Sequence, residues 1–120
     1  MLRLRIFSKD ELLSNPILGV SWEGFIIEQI AAAAPENTEM FFYRTATGDE
    51  IDVLAQVPKK GLRAIEIKRS LAPTLGKGFY RALETVAPQR AFVVYSGKER
   101  FHISQDVTAL PLHELTAIFE

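Results

Sequence analysis

The chain has 120 residues, of which 48% are hydrophobic and 24% charged, a composition typical of one soluble globular domain that buries a core. Fourteen basic and fifteen acidic side chains give a formal net charge of −1. This balance argues against a surface coated in positive charge for gripping nucleic acid, while a local basic patch stays open. The absence of cysteine excludes disulfides and thiolate zinc sites, and it favours a cytoplasmic protein.

The first residues do not have the pattern of a targeting segment. Arg3, Arg5 and Lys9 interrupt the apolar run at once, whereas a signal peptide has an uninterrupted apolar region. No later stretch approaches the length of a membrane span. We therefore expect a protein without a membrane partner.

The first half of the chain predicts a helix followed by β-strands. Residues 15–34 are predicted as a helix, with Asn15 or Ser21 as its N-cap and Pro35 ending it. Two β-rich runs, EMFFYRT and EIDVLAQV, are separated by the turn ATGD, and VPKKG then leads into LRAIEIKRS. The pattern predicts two successive hairpins.

The second half predicts another helix and further strands. PTLGKGFYRALETVAP has one apolar stripe, formed by Leu75, Phe79, Ala82, Leu83 and Val86. RAFVVYS is almost fully apolar, which is typical of a central strand. FHIS and VTALPL follow as later strands, and HELTAIFE as a closing helix. The order αβββαβ predicts one mixed α/β domain over residues 1–120, with an N-terminal extension at 1–14 and a C-terminal strand and helix extension at 104–120.

Two acidic residues are predicted to face each other in the second hairpin. If its turn centres on Lys59, Asp52 lies opposite Glu66, with Cβ atoms roughly 4.5–5.5 Å apart. Directly opposed like charges destabilise a sheet, so the pair requires water, Lys68 or a divalent cation beside it. Period-two alternation also places Ile51, Val53 and Ala55 on one face of the strand, and Asp52 on the other with Glu50 and Leu54.

A third carboxylate, Glu23, lies on the apolar stripe of the first helix. A wheel of about 100° per residue places Ile26, Ile27 and Ile30 within about 60° of it. An unpaired acid facing a core is costly, so we expect Glu23 to have a partner or to border a cavity. The alternative is an acid favoured in the first helical turn by the helix dipole.

Each of these observations has an alternative explanation when taken singly. Glu66 and Lys68 on an isolated strand are better explained as a solvated face, and Asp52 can simply follow a turn. It is the combination of three carboxylates and one lysine, in the order helix, strand, strand, that favours a site.

The order Glu23, Asp52 and Glu66-Ile67-Lys68 resembles the PD-(D/E)xK nuclease superfamily, whose core is also αβββαβ. GVSWEGFIIEQI, FYRTATGDEIDVL and AIEIKRSLAP look like the nuclease-like domain of unknown function found at the C-terminus of many prokaryotic AAA+-type ATPases. The resemblance runs from about Leu12 to Leu115. It implies a restriction-endonuclease-like core, in which a mixed central sheet is flanked by helices. Two departures are that Ile51 replaces the superfamily's proline and that no G-x-x-x-x-G-K-[ST] motif occurs.

The resemblance also implies a cofactor and the roles of individual residues. Mg²⁺ or Mn²⁺ would be held by Asp52, Glu66 and the backbone carbonyl of Ile67. Lys68 would position the attacking water and offset charge on the phosphate, and Glu23 would be a further direct or indirect ligand. Phosphate contacts are expected from basic side chains, for which a merely solvated surface is the alternative: Arg44, Lys59, Lys60, Arg63, Arg69, Lys77 and Arg81.

Three functions stay open on the sequence alone. The first is a metal-dependent nuclease-like domain that hydrolyses phosphodiesters of DNA or RNA. The second is a catalytically inactive nuclease-fold module that binds nucleic acid or regulates an AAA+-type ATPase. The third is a structural α/β domain, and a homo-oligomer is compatible with all three.

We interpret two histidines as surface residues, His102 and His113, and four aromatic residues as core, Trp22, Phe25, Phe41 and Phe42.

Overall fold

The computed structural model describes residues 2–7, by their backbone alone, and residues 22–120. The elements are, in chain order, β1 Leu2–Phe7, α1 Trp22–Ala33, β2 Glu39–Thr45, β3 Glu50–Val57, β4 Gly61–Ile67, α2 Lys77–Val86, β5 Arg90–Tyr95, β6 Phe101–Ser104, β7 Val107–Pro111 and the 3-10 helix η1 Leu112–Phe119. None of the described helices is both long and apolar enough to cross a membrane.

Most predicted elements are confirmed, with differences at the two ends of the chain. The bounds of β2, β3 and β6 agree with the predicted runs. The candidate caps Asn15 and Ser21 lie outside the described residues. The extension at 1–14 contains β1, a strand that the sequence did not predict. The closing helix is a 3-10 helix with a kink at Glu114.

The strands form one mixed sheet in the order β1-β2-β3-β4-β5-β7-β6. β4, β5 and β7 run parallel to one another, and the remaining pairs are antiparallel. Because parallel neighbours need a crossover connection, α2 lies between β4 and β5 in the chain. The prediction of an α/β domain with a mixed sheet flanked by helices is confirmed.

Each face of the sheet carries its own hydrophobic core. The first core lies under α1 and η1, and includes Ile26, Ile30 and Ile118. The second core lies under α2, where Phe79 and Ala82 are buried. The other members of the predicted α2 stripe, Leu75, Leu83 and Val86, pack against this second core. The predicted stripe is therefore confirmed within α2, whereas Leu75 packs against the same core from the segment before the helix.

Strand β3 contains a β-bulge that changes which face its side chains occupy. The register between β2 and β3 shifts within Ile51–Leu54, so Phe42 alone lies opposite Asp52 and Val53. As a result Ile51 and Leu54 both pack in the second core, whereas Val53 packs in the first. The predicted alternation, which placed Ile51 and Val53 on one face, is wrong at this point.

A buried arginine ties η1 to the β3–β4 hairpin. Arg63 is only 4% exposed, and it donates from Nε to the Ile118 carbonyl at 2.9 Å and from Nη2 to the Glu120 carbonyl at 3.2 Å. Its Nη1 donates to the Lys60 carbonyl at 2.8 Å, and Lys60 Nζ donates to the Phe119 carbonyl at 3.0 Å. Arg63 is thus an internal anchor, not the surface phosphate contact expected from the sequence.

Candidate functional site

The acidic residues meet where the β3–β4 ladder ends. Its paired residues run from Val57 opposite Gly61 to Val53 opposite Ile65, so the next facing positions are Asp52 and Glu66. Lys59 lies in the turn with a φ of 68°. The register predicted from a turn centred on Lys59 is therefore confirmed.

The carboxylates of Asp52 and Glu66 are held by each other's strand. The Asp52 backbone N–H donates to Glu66 Oε1 at 3.3 Å, and the Ile67 N–H donates to Asp52 Oδ2 at 2.9 Å. If the β3–β4 ladder continued past Val53, these backbone N–H groups would donate to carbonyl oxygens of the opposite strand. Here they donate to side-chain oxygens instead. Both carboxyl groups are therefore fixed between the two strand ends.

Glu66 is a buried acid beside another acid. Burial, the charge of Asp52 and a hydrogen bond shared with its carboxyl group raise the pKa of Glu66 to about 9. Lys68 opposes this rise, but its Nζ lies 3.9 Å from Glu66 Oε2 and its side chain is 39% exposed. Without a bound metal ion, the Glu66 carboxyl therefore holds its proton to a higher pH than an ordinary carboxyl does, because its pKa is raised.

Glu23 joins this pair from the first turn of α1. Although much of its side chain is exposed, partial burial, the charge of Asp52 and a hydrogen bond to Asp52 raise the pKa of Glu23. The partner that the sequence required for Glu23 is therefore Asp52. The apolar stripe ends at this turn, which places Glu23 at its edge and not within the core.

Two of the predicted basic residues lie at the rim of the acidic site. Arg44 Nε is 3.2 Å from Glu50 Oε2, and the charge of Arg44 also acts on Glu23. The Arg69 guanidinium lies 5.8 Å from the ring of Trp22, which directly precedes Glu23 in the chain. Among the residues whose side chains are described, Lys68 and Arg44 therefore act on the acids, and Arg69 lies beside the neighbouring Trp22.

The other predicted phosphate contacts lie elsewhere. Lys59 and Lys60 occupy the turn at the opposite end of the hairpin, roughly 20 Å along the strands from Asp52. Arg81 on α2 donates to Asp49 at 2.8 Å, beside the β2–β3 turn. Lys77 is the first residue of the same helix. Lys59 and Lys60 therefore do not form one surface with Lys68, whereas Arg81 and Lys77 lie near the turn that precedes Asp52.

Sequence reasoning missed an exposed aromatic ring near the start of α1, beside a partly buried one. Phe25 is 41% exposed, so its interpretation as a core residue is wrong, and Trp22 is only partly buried against the first core. Their ring centroids are 6.4 Å apart. The helical wheel contained the signal, because Phe25 lies about 160° from Glu23 and so off the apolar stripe.

The oxygen ligands in this site fit a small hard cation. Mg²⁺ binds through one or two carboxylates and keeps several waters, and Asp52 with Glu66 supplies two carboxylates. A cation here would also relieve the repulsion that raises the pKa of Glu66. Within the described residues, no group of three or more His, Asp or Glu side chains is arranged to hold a metal by itself. Water or phosphate oxygens would therefore complete the shell.

Comparisons with known proteins agree over most of the chain. A family model described as a domain of unknown function (DUF4143) matches residues 18–115. Two proteins described as uncharacterized, from Mycobacterium bovis and Mycobacterium tuberculosis, are each 33% identical over 114 residues, covering 92% of this chain and 25% of their own length. The chain thus spans about a quarter of these curated relatives. No solved structure matches.

Proposed function

This chain belongs to the family described as a domain of unknown function (DUF4143), and we propose that it is a metal-dependent nuclease-like domain that hydrolyses nucleic-acid phosphodiesters. The observation that carries the proposal is the Asp52–Glu66 pair at the ends of adjacent strands, with Lys68 Nζ 3.9 Å from Glu66. Two carboxylates can hold a metal ion that assists phosphodiester hydrolysis, and an amine beside them can balance charge on the phosphate.

The placement of the acids on the fold supports a relation to the PD-(D/E)xK nucleases. Glu23 is on α1, Asp52 on β3 and Glu66 on β4, in the order that the sequence resemblance implied. The elements from α1 to β5 follow the order αβββαβ. We therefore include a restriction-endonuclease-like core in the proposal.

Each residue of the site has a distinct role in this proposal. Asp52, Glu66 and the Ile67 carbonyl would hold Mg²⁺ or Mn²⁺, with Glu23 as a further ligand. The bound ion would lower the pKa of a water molecule and offset the negative charge of the phosphate. Lys68 would orient the attacking water and balance charge on the phosphate, as a compact cation that needs no bidentate geometry.

The test is cleavage of single-stranded DNA, duplex DNA and RNA in Mg²⁺ or Mn²⁺, with Lys68→Ala as the diagnostic variant. We expect its rate to fall by about 100-fold to 1,000-fold, the usual cost of removing one group that stabilises the transition state. Lys98→Ala, an exposed lysine in the β5–β6 connection, is the matched control and should cleave like the wild type. Equal cleavage by wild type and Lys68→Ala would defeat the proposal.

A specific observation also favours a second function, a nuclease-fold module without turnover. Asp52 Oδ2 and Glu66 Oε1 already accept backbone hydrogen bonds, so the site is partly satisfied without a cation. Such a module would bind nucleic acid or regulate an AAA+-type ATPase. Calorimetry that detects no Mg²⁺ or Mn²⁺ binding, with nucleic-acid binding intact in Asp52→Ala, would select this function over hydrolysis.

A further inference from the structure

We propose that Trp22, Phe25 and Arg69 form a stacking surface for unpaired bases, so that the nucleic acid entering the site is single-stranded. The inference rests on the proposed function, because it names the form of nucleic acid that the acidic site receives. It assigns a binding role to aromatic residues that the sequence had placed in the core.

The aromatic part of the surface lies on one flank of α1. Trp22 and Phe25 are three residues apart, so their side chains are neighbours on the helix. Their ring centroids are 6.4 Å apart with planes inclined at 33°. Phe25 is 41% exposed. Trp22 is partly buried against the first core, which fixes one side of the pair.

The cationic part comes from the connection between β4 and α2. The Arg69 guanidinium lies 5.8 Å from the Trp22 ring, and the Arg69 carbonyl accepts a hydrogen bond from Ser96 Oγ at 2.7 Å. Leu71, two residues further along, is 75% exposed. This connection therefore adds one charged side chain, Arg69, to the aromatic pair.

The stacking surface adjoins the acidic site through the connection that follows β4, because Arg69 reaches the Trp22 ring. Lys68 directly precedes Arg69 in the chain, and its Nζ is 3.9 Å from Glu66. We therefore expect a strand whose phosphate reaches the carboxylates to pass Lys68 and Arg69 on its way to the Trp22 ring.

The chemistry of this surface suits an unpaired base more than an apolar protein partner. Every base has a π-face that stacks on aromatic rings and on arginine, whereas a duplex keeps those faces covered. An apolar protein partner would offer no counter-charge to Arg69 and Lys68, whereas a phosphate chain does.

The single tryptophan of the chain is a direct probe of this surface. The experiment titrates the protein in Mg²⁺ with oligodeoxythymidylate, the same strand paired with oligodeoxyadenylate, and an abasic strand of equal length. We expect the unpaired strand to quench Trp22 fluorescence and to bind most tightly. Phe25→Ala should weaken that binding about 5-fold to 150-fold, the equivalent of about 1–3 kcal/mol for one stacked base.

Two variants separate stacking from a general structural effect. Phe25→Tyr retains a ring and should bind like the wild type. Phe101→Ala removes an equally exposed phenylalanine, 40% against 41%, from the far edge strand β6, and it should also bind normally. Equal affinity for the abasic and thymidylate strands would overturn the inference, as would equal behaviour of Phe25→Ala and Phe101→Ala.

The recovered oligonucleotides, run on a denaturing gel, distinguish failure of this inference from failure of the proposed function. Cleavage that depends on Lys68 but shows no preference for unpaired bases would support the nuclease and refute the stacking surface. Binding that depends on Phe25 without any cleavage would support the stacking surface and refute hydrolysis.

Discussion

Glu66 is 8% exposed and hydrogen-bonded to the strand that carries Asp52. Its pKa, about 9 in the folded protein against 4.5 for an unperturbed carboxyl, couples folding to pH. Between these two values the folded protein holds a proton that the unfolded chain releases. The free energy of unfolding therefore decreases as the pH rises through this range, by at most about 1.4 kcal/mol per pH unit.

The first prediction replaces this acid by its neutral isostere. In metal-free buffer, Glu66→Gln should lose the decrease in stability between pH 5 and pH 9 that the wild type shows. Mg²⁺ should stabilise the wild type at pH 8, by about 2.7 kcal/mol at a concentration 100 times the Kd, and should leave Glu66→Gln unchanged. Urea unfolding at each pH, with and without Mg²⁺, measures both effects.

Glu84→Gln, an exposed carboxyl on α2, is the control and should follow the wild type. If Glu66→Gln kept the wild-type dependence on pH and on Mg²⁺, the coupling of the two carboxyl groups would be refuted.

The sequence contained the positions of the acids but not of their partners. The pairing of Asp52 with Glu66 could be predicted from the turn between them, because the register of a hairpin depends on residues that are close in the chain. Glu23 could be expected to need a partner, but its contact with Asp52 depends on how α1 packs on the sheet. Arg63 shows the same limit, since its acceptors at Ile118 and Glu120 are more than 50 residues away in the chain.

At the level of elements, strand bounds followed from alternation and turn residues, and the bulge in β3 did not. A bulge is a mismatch between two strands, so it is visible only once β3 is paired with β2. The strand β1 was missed because Arg3 and Arg5 alternate with apolar residues at an edge, a pattern that also occurs in a solvated extension. The 3-10 form of η1 likewise depends on its packing.

The second prediction concerns the contact between α2 and the β2–β3 turn. A Cβ on Gly78 would lie 2.7 Å from the Gly48 carbonyl oxygen, whereas a Cβ on Gly76 has no heavy atom within 4 Å. Gly78→Ala should therefore destabilise the protein by about 1–3 kcal/mol through overpacking, even though alanine favours helices by roughly 1 kcal/mol over glycine.

Gly76→Ala is the matched control and should change stability by less than about 1 kcal/mol. Urea unfolding followed by circular dichroism measures both variants. A Gly78→Ala protein as stable as Gly76→Ala would show that the helix start does not lie against the turn.

At the scale of the whole molecule, one sheet separates two cores that share its central strands. Val53 and Leu54 belong to different cores, as do Ile65 and Ala64. Because the same backbone carries both layers, neither core can be lost while the other keeps its strands. The strand order β5-β7-β6, which the sequence did not reveal, adds to this coupling because it places β7 between its two predecessors.

The third prediction uses this coupling. Phe79→Ala removes a buried ring, 3% exposed, from the second core, and should lower the free energy of unfolding by about 3–5 kcal/mol. Trp22 fluorescence reports on the first core and circular dichroism on the whole backbone. We expect both signals to change at the same urea concentration, as in a two-state transition.

Glu84→Ala on the exposed side of α2 is the control. It should change the free energy of unfolding by no more than about 0.5 kcal/mol, the usual range for surface substitutions. Separate midpoints for fluorescence and circular dichroism in Phe79→Ala would contradict the single cooperative unit.

The resemblance found in the sequence pointed to a domain of unknown function, and a family model of that description matches residues 18–115; the relation to PD-(D/E)xK nucleases stays a proposal. It was not sufficient to predict the rim of the site, because aromatic exposure depends on which flank of α1 faces the sheet. The relatives are about four times longer than the matched segment, and an ATPase partner stays a prediction.

The extra residue in β3 has a consequence for comparing relatives. Ile51 and Val53, two positions apart, belong to different packing neighbourhoods. Changes in size at Ile51 should therefore covary with the α2 side of the sheet, and changes at Val53 with the α1 side. A relative aligned without that residue would exchange the two neighbourhoods and lose the alignment of Asp52 with Glu66, so insertions and deletions in this short segment are informative about whether the acidic pair is retained.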